Sequence, residues 1–191
     1  MSKNFLPSQY ENDEKFSVQH NYLGQQFSDK DLILEKIREV VTRGDFTLGR
    51  EVDRFEEAFA KLVGAKHAIG VGSGTDAIFL SLRALDLQPG DEVITTSFTF
   101  YATIGAIVTA GGTPVFCDIE DDFNISVTRI KSLISEKTKA IVPVHWSGRP
   151  CEMNEMIKIS EEFGIPIIEA LYSNTPVITS KGGCFSEAGG E

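Results

Sequence analysis

Short segments rich in Val and Ile alternate with amphipathic segments through most of this chain. The pattern predicts strands at residues 67–71, 92–96, 114–119, 140–145 and 165–168, with helices at 75–85, 102–110, 127–134 and 153–163 between them. Strands that are apolar at most positions are typical of parallel strands covered by helices on both faces. Repeated strand–helix units of this length favour a doubly wound sheet. The sequence therefore predicts a three-layer α/β fold with a mainly parallel sheet.

Composition and charge exclude several classes of function. The 191 residues include 28 acidic and 18 basic side chains, for a net charge of -10. A negative field of this kind repels phosphate backbones and anionic lipid, so we expect neither nucleic acid nor a membrane as partner. Cys117, Cys151 and Cys184 form no CxxC pair. They predict no metal site and favour a reducing, cytoplasmic location.

A glycine-rich turn, Gly70-Val71-Gly72-Ser73-Gly74-Thr75, links a predicted strand to a predicted helix. The free N–H groups of a helix start, together with the positive end of the helix dipole, bind phosphate well. The turn does not match the dinucleotide fingerprint, which needs Gly or Ala where Thr75 stands, and it contains no P-loop. From these residues alone, a phosphate site and a tight turn capped by Thr75 are open alternatives.

Two more segments follow predicted strands, residues 97–103 and His145-Trp146-Ser147-Gly148. Ligands of open α/β sheets bind at the carboxyl ends of the strands. An aromatic ring in the first segment is therefore placed to stack on a planar ligand, and His145 also lies at a strand end. A core aromatic and a structural histidine are the alternatives.

Seven short motifs follow one another in the order and spacing of one protein family. They are Phe46–Gly49, Phe55–Ala60, Gly72–Ala77, Pro89–Val93, Thr99–Thr103, Pro114–Asp118 and Pro143–Gly148. Through them, residues 22–168 resemble the pyridoxal-phosphate-dependent sugar aminotransferases of the DegT/DnrJ/EryC1/StrS type. The resemblance implies the large α/β domain of the aspartate-aminotransferase fold, with active sites shared across a homodimer.

The same resemblance implies a cofactor and a set of site residues. Pyridoxal 5'-phosphate is the expected cofactor. Gly74 and Thr75 would hold its phosphate, Phe100 would stack on its pyridine ring, and His145 would line its pocket. The implied substrates are a nucleotide-linked keto-sugar and glutamate as amino donor, in the biosynthesis of cell-surface polysaccharides or amino sugars.

The sequence departs from the family pattern after residue 168. The family continues as Glu-Asp-Ala-Ala-Gln, and its Asp pairs with the pyridinium nitrogen of the cofactor. Here Ala170 stands at that position. The lysine that carries the cofactor follows a Ser-Phe motif in the family, and Lys181, the one later lysine, lies outside such a motif. We therefore assign no catalytic residue and expect a truncated chain that is inactive by itself.

The end of the chain resembles a different family. Residues 161–191 are similar to the E-x7-E region of GT-B retaining glycosyltransferases of the family 4 type, with Glu161 and Glu169 at the positions of the two glutamates. The sequence thus predicts an N-terminal arm (1–27), a partial aminotransferase domain (28–168) and a glycosyltransferase-like tail (169–191), as in a chimera. A non-catalytic remnant that binds a partner subunit or a sugar nucleotide, and a glycosyltransferase fragment, are the alternative functions. We expect either a homodimer or aggregation through uncovered apolar faces.

Overall fold

The computed structural model describes residues 27–171 and 178–179. The chain divides into two compact units, with the boundary between Phe55 and Glu56. Most of the predicted arm and of the predicted tail, including Lys181 and Cys184, lies outside the described residues. The division into arm, domain and tail stays a prediction. No helix in the described part of the chain is long and apolar enough to span a membrane.

The first unit contains helix α1 (Lys30–Arg43) and the beginning of helix α2 (Arg50–Val63). Helix α1 ends at Gly44, whose φ of 70° is left-handed and whose N–H donates to the carbonyls of Val40 and Val41. Glycine adopts this conformation without a Cβ clash, which is why it ends helices so often. Within this unit, the guanidinium of Arg43 lies 2.8 Å from a carboxylate oxygen of Glu51.

The second unit contains the alternating strands and helices that the sequence predicts. Its helices after α2 are α3 (Gly74–Arg83), α4 (Tyr101–Thr109), α5 (Val127–Leu133) and α6 (Met153–Phe163). Its strands are β1 (Glu92–Thr96), β2 (Thr113–Cys117), β3 (Thr138–Val142), β4 (Val144–His145), β5 (Ile168–Leu171) and β6 (Ile178–Thr179). A short 3₁₀ helix (Trp146–Gly148) follows β4 directly.

The strands form a mainly parallel arrangement. β1 lies between β2 and β3 and is parallel to both. β4 is parallel to β5, whereas β6 joins β5 in the antiparallel sense. Pro143, which has no N–H to donate, separates β3 from β4. A parallel bridge between Ile141 and Ile167 places the chain leading into β5 beside β3.

Helices cover both faces of this sheet. Ile78 and Leu82 of α3 and Ile107 of α4 pack in one cluster with Val93 and Val142. Ile130 of α5 and Met156 and Ile159 of α6 pack in a second cluster with Ile94 and Ile141. Because successive side chains of a strand point to opposite faces, neighbours such as Val93 and Ile94 enter different clusters. The predicted three-layer α/β fold is confirmed.

The predicted strand over residues 67–71 is wrong. None of these residues pairs with a strand in the described part of the chain, and Ile69 is 80% exposed. The N–H of Gly70 instead donates to the carboxylate of Glu56, with N and Oε1 2.6 Å apart. A strand requires a neighbour for its N–H and C=O groups, and an apolar pattern does not supply one.

We expect the isolated chain to self-associate. Ile69, Leu80 on α3 and Val108 on α4 are 80%, 48% and 58% exposed, respectively. Exposed apolar patches favour association because contact removes them from water. Size-exclusion chromatography at rising concentration should show earlier elution, and Leu80→Glu should shift elution back toward the monomer. Elution as a monomer at high concentration would contradict this prediction.

Candidate cofactor site

The carboxyl ends of the strands and the starts of two helices lie at the same edge of the sheet. A Cβ placed on Gly112 would lie 3.1 Å from Leu87 Cδ1, 3.2 Å from Val93 Cγ2 and 3.4 Å from Ile107 Cγ2. The ends of α3 and α4 therefore meet near Val93, at the amino end of β1. Both helices consequently begin toward the opposite, carboxyl edge, where ligands of such sheets bind.

Ser73 caps the start of helix α3. Its Oγ accepts a hydrogen bond from the N–H of Asp76 (3.1 Å) and donates to Asp76 Oδ2 (3.0 Å). The alternative in which Thr75 caps the helix is therefore wrong, because the cap lies two residues earlier. The N–H groups of Gly74 and Thr75 belong to the first turn and have no intrahelical acceptor.

The start of helix α3 is uncrowded at Gly74. A Cβ placed on Gly74 would meet no atom within 4 Å, so nothing crowds Gly74 on the side where a side chain would lie. On the neighbouring side, a Cβ on Gly72 would lie 2.8 Å from Asp76 Oδ2. The Asp76 carboxylate accepts a hydrogen bond from the Ser73 hydroxyl and lies on the Gly72 side of the helix start. Two open N–H donors at the positive end of a helix are the groups that bind a phosphate.

Phe100 lies at the start of helix α4, as its N-cap residue. It is 50% exposed, and its ring centroid is 4.4 Å from that of Tyr101. An exposed ring at the carboxyl edge is available for stacking on a planar ligand. Its assignment to the pyridine ring of a cofactor stays a prediction.

An aromatic cluster that the sequence analysis missed lies at the same edge. The Phe98 ring centroid is 4.2 Å from that of Trp146 and 5.4 Å from that of Phe123. These residues follow β1, β4 and β2, so three loops contribute one ring each. The signal was present in the sequence, since each ring lies within a few residues of a predicted strand end, but only the parallel order brings them together.

His145 is buried, and both of its ring nitrogens have partners. Nδ1 accepts the N–H of Cys151 at 3.1 Å, which assigns the ring proton to Nε2. Nε2 lies 3.3 Å from Glu169 Oε2 and donates to it. Only the face of the imidazole is left for a ligand, so its role in lining a cofactor pocket stays a prediction.

Glu169, the neighbour of Ala170, is paired with His145. Ile167 and Ile168 lie in the clusters on opposite faces of the sheet, and the next residue, Glu169, pairs with His145. Ala170 follows in register with Val144. Glu161, the other glutamate of the predicted glycosyltransferase motif, is exposed on α6.

The two described cysteines, Cys117 and Cys151, are free thiols and both are buried. Burial raises the pKa of Cys117, and it raises the pKa of Cys151 to about 11. A thiol with a raised pKa stays protonated at neutral pH and is a poor nucleophile. Cys151 Sγ donates to the carbonyl of Val144 at 3.3 Å. Among residues 27–171 and 178–179, no group of His, Cys, Asp and Glu side chains could hold a metal ion.

The model of the DegT/DnrJ/EryC1/StrS aminotransferase family matches residues 28–171. The chain belongs to this family. The match includes the start of α3, the aromatic loop after β1 and the His145 segment.

Individual relatives agree with this assignment. The chain is 39% identical over 137 residues to the spore coat polysaccharide biosynthesis protein SpsC of Bacillus subtilis, covering 71% of this chain and 35% of that protein. It is 41% identical over 141 residues to a UDP-N-acetyl-3-dehydro-α-D-glucosamine 3-aminotransferase of Acidithiobacillus ferrooxidans, covering 73% and 38%. The crystal structure of NtdA from Bacillus subtilis with bound cofactor PMP superposes with a TM-score of 0.75 at 32% identity, covering 83% and 39%. The chain thus spans well under half of the length of these relatives.

Proposed function

We propose that this chain forms the cofactor-phosphate side of a pyridoxal-phosphate-dependent aminotransferase that acts on nucleotide-linked keto-sugars. The observation that carries the proposal is the Ser73-capped start of α3, uncrowded at Gly74, within the family match. There the N–H groups of Gly74 and Thr75 bind the phosphate, and the Thr75 hydroxyl adds a donor. When bound, the cofactor supplies an electron sink for amino-group transfer.

The substrate class rests on the named relatives. One of them is a polysaccharide biosynthesis protein and another acts on a UDP-linked dehydro-sugar. We infer a nucleotide-linked keto-sugar as amino acceptor and glutamate as donor for the complete enzyme, in the cytoplasm and as a homodimer. His145 orders the loop after β4, because its ring hydrogen-bonds to the carboxylate of Glu169 and to the N–H of Cys151.

One observation favours a second candidate, a non-catalytic chain that binds the cofactor phosphate without turnover. Ala170 carries no charge to hold the pyridine nitrogen protonated, and Glu169 is engaged by His145. Binding of the phosphate through backbone N–H groups does not depend on either residue. Phosphate affinity and turnover are therefore separate measurements for this chain.

We expect the purified chain to bind pyridoxal phosphate and inorganic phosphate at the same site. Thr75→Ala should weaken binding only partly, by roughly fivefold, because it removes one hydrogen bond of about 1 kcal/mol while the backbone donors stay. Equilibrium dialysis of pyridoxal phosphate, with inorganic phosphate as competitor, measures both affinities.

Thr109→Ala is the matched control for this substitution. Thr109 is an exposed threonine at the other end of helix α4. Thr109→Ala removes a threonine hydroxyl far from the carboxyl edge and should leave the affinity for pyridoxal phosphate unchanged. Absence of measurable binding by the wild-type chain, or equal losses in both variants, would contradict the phosphate site.

A further inference from the structure

We infer that Asn124 is a positioning residue that holds the segment from His145 to Pro150 at the carboxyl edge of the sheet. Asn124 lies in the loop between β2 and α5 and is 3% exposed. Its Oδ1 accepts the N–H of Trp146 at 3.0 Å. Its Nδ2 lies 3.2 Å from the carbonyl oxygen of Pro150 and 3.4 Å from that of Arg149.

Asp122 determines which way the amide of Asn124 points. Asn124 Nδ2 donates to Asp122 Oδ2 at 3.1 Å, and the N–H of Asn124 donates to Asp122 Oδ1 at 3.1 Å. The same Asp122 Oδ2 lies 3.2 Å from Arg149 Nε. The amide nitrogen therefore faces oxygen atoms only, and the amide oxygen faces an N–H. Both halves of the amide are used, and an ionised carboxylate of the same size would supply acceptors only.

Two uncommon backbone conformations lie next to these contacts. Phe123 and Ser147 have φ values of 68° and 50°, a region that residues other than glycine rarely adopt. Such conformations persist only where surrounding contacts hold them. Asn124 is adjacent to Phe123 and bonds the residue before Ser147. Loss of its hydrogen bonds should therefore let both loops relax.

The contact network reaches the proposed cofactor face through Trp146. The Trp146 ring packs on Phe98, and Phe98 lies in the loop that leads to Phe100 at the start of α4. His145 precedes Trp146 in the chain and adds a second link, because its Nδ1 accepts the N–H of Cys151, the residue after Pro150. This link to cofactor affinity rests on the proposed function, whereas the positioning of Trp146 does not.

Asn124→Asp tests the inference, because the new side chain has nearly the same volume as the old one. The substitution replaces the NH₂ donors by an acceptor that faces Asp122 and two carbonyl oxygens. Trp146 is the only tryptophan of the chain, so its fluorescence reports on this segment. We expect a red-shifted emission and stronger quenching by acrylamide. Asn154→Asp, the same change at an exposed position of α6, should leave both unchanged.

A pH series separates the hydrogen-bonding role from simple packing. On acidification the carboxyl of Asn124→Asp regains an O–H donor, so its fluorescence should return toward that of the wild type. Asn124→Ala has no such group and should stay shifted at every pH. The charged neighbours are Asp122 and Arg149, and the Cys151 thiol stays protonated because its pKa is about 11. The wild type over the same pH range is the reference for pH effects that do not arise at residue 124.

The outcomes distinguish this inference from the proposed function. If the wild type binds pyridoxal phosphate, Asn124→Asp should bind it about tenfold more weakly, as expected when buried partners lose a donor. A wild type that does not bind the cofactor defeats the proposed function, and the fluorescence series still tests the positioning role. Unchanged Trp146 fluorescence in Asn124→Asp, or equal shifts of the Asp and Ala variants at every pH, overturns the inference. Asn124→Ser, which keeps one hydroxyl as donor and acceptor, should give a smaller shift and serves if Asn124→Asp does not fold.

Discussion

The purified chain should show no glutamate-dependent amination of a nucleotide-linked keto-sugar, even with pyridoxal phosphate in excess. Transamination needs a lysine to carry the cofactor and move the proton, and a carboxylate to keep the pyridine nitrogen protonated. Ala170 provides no carboxylate, and Glu169 is paired with His145. A homodimer repeats the same residues and supplies neither group. Chromatography of the nucleotide sugar detects any amino sugar that forms, and we expect none.

Lys181→Ala is the control that identifies an unexpected activity. Lys181 is the only lysine after Lys158 and lies outside the family's lysine motif. Turnover by the wild-type chain that disappears in Lys181→Ala would show that Lys181 carries the cofactor. Turnover that survives in the variant would point to a contaminating enzyme, because no other lysine follows β5.

Ile141→Ala should lower the free energy of unfolding by about 2–5 kcal/mol, the range found when a buried Ile becomes Ala. Ile141 is fully buried in β3, in register with Ile94 of β1 and bridged to Ile167 before β5. The substitution removes three carbon atoms from the second core cluster, and the sheet on both sides limits how far the site can collapse. Urea denaturation followed by circular dichroism gives the change.

Ile69→Ala is the matched control, because Ile69 is 80% exposed. Its effect should stay within about 0.5 kcal/mol, as is usual for surface substitutions. If residues 67–71 were a buried strand, as their apolar pattern predicts, the two substitutions would cost similar amounts. Equal losses would therefore contradict the structure at this segment.

The local pattern of apolar residues predicted helices and strands correctly where its periodicity matches the burial seen in the structure. The predicted strand 92–96 and the predicted helix 153–163 have the same bounds in the structure as β1 and α6. The end of α6 can be read from the sequence, because Gly164 follows it and has a left-handed φ of 67°. The prediction failed at residues 67–71, because no strand of the described residues lies beside this segment to pair with it.

The candidate site was predictable at the level of motifs and not at the level of contacts. The family motifs point to Gly74, Thr75 and Phe100, and the structure places them at the starts of α3 and α4, while their roles toward a cofactor stay predictions. Ser73 as the cap could not be told from Thr75, because both hydroxyls are chemically able to cap. Asn124 gave no signal, because its partners Trp146 and Pro150 lie more than twenty residues away.

The amino-acid sequence by itself determined the family, the α/β class and the absence of a carboxylate at Ala170, because motifs, periodicity and residue chemistry are local properties. Only the tertiary structure decided which groups share an edge of the sheet. Parallel pairing brings the loops after β1, β2 and β4 together and gives His145 its two partners, Cys151 and Glu169. Those contacts depend on strand order and register, and neither can be read from one strand at a time.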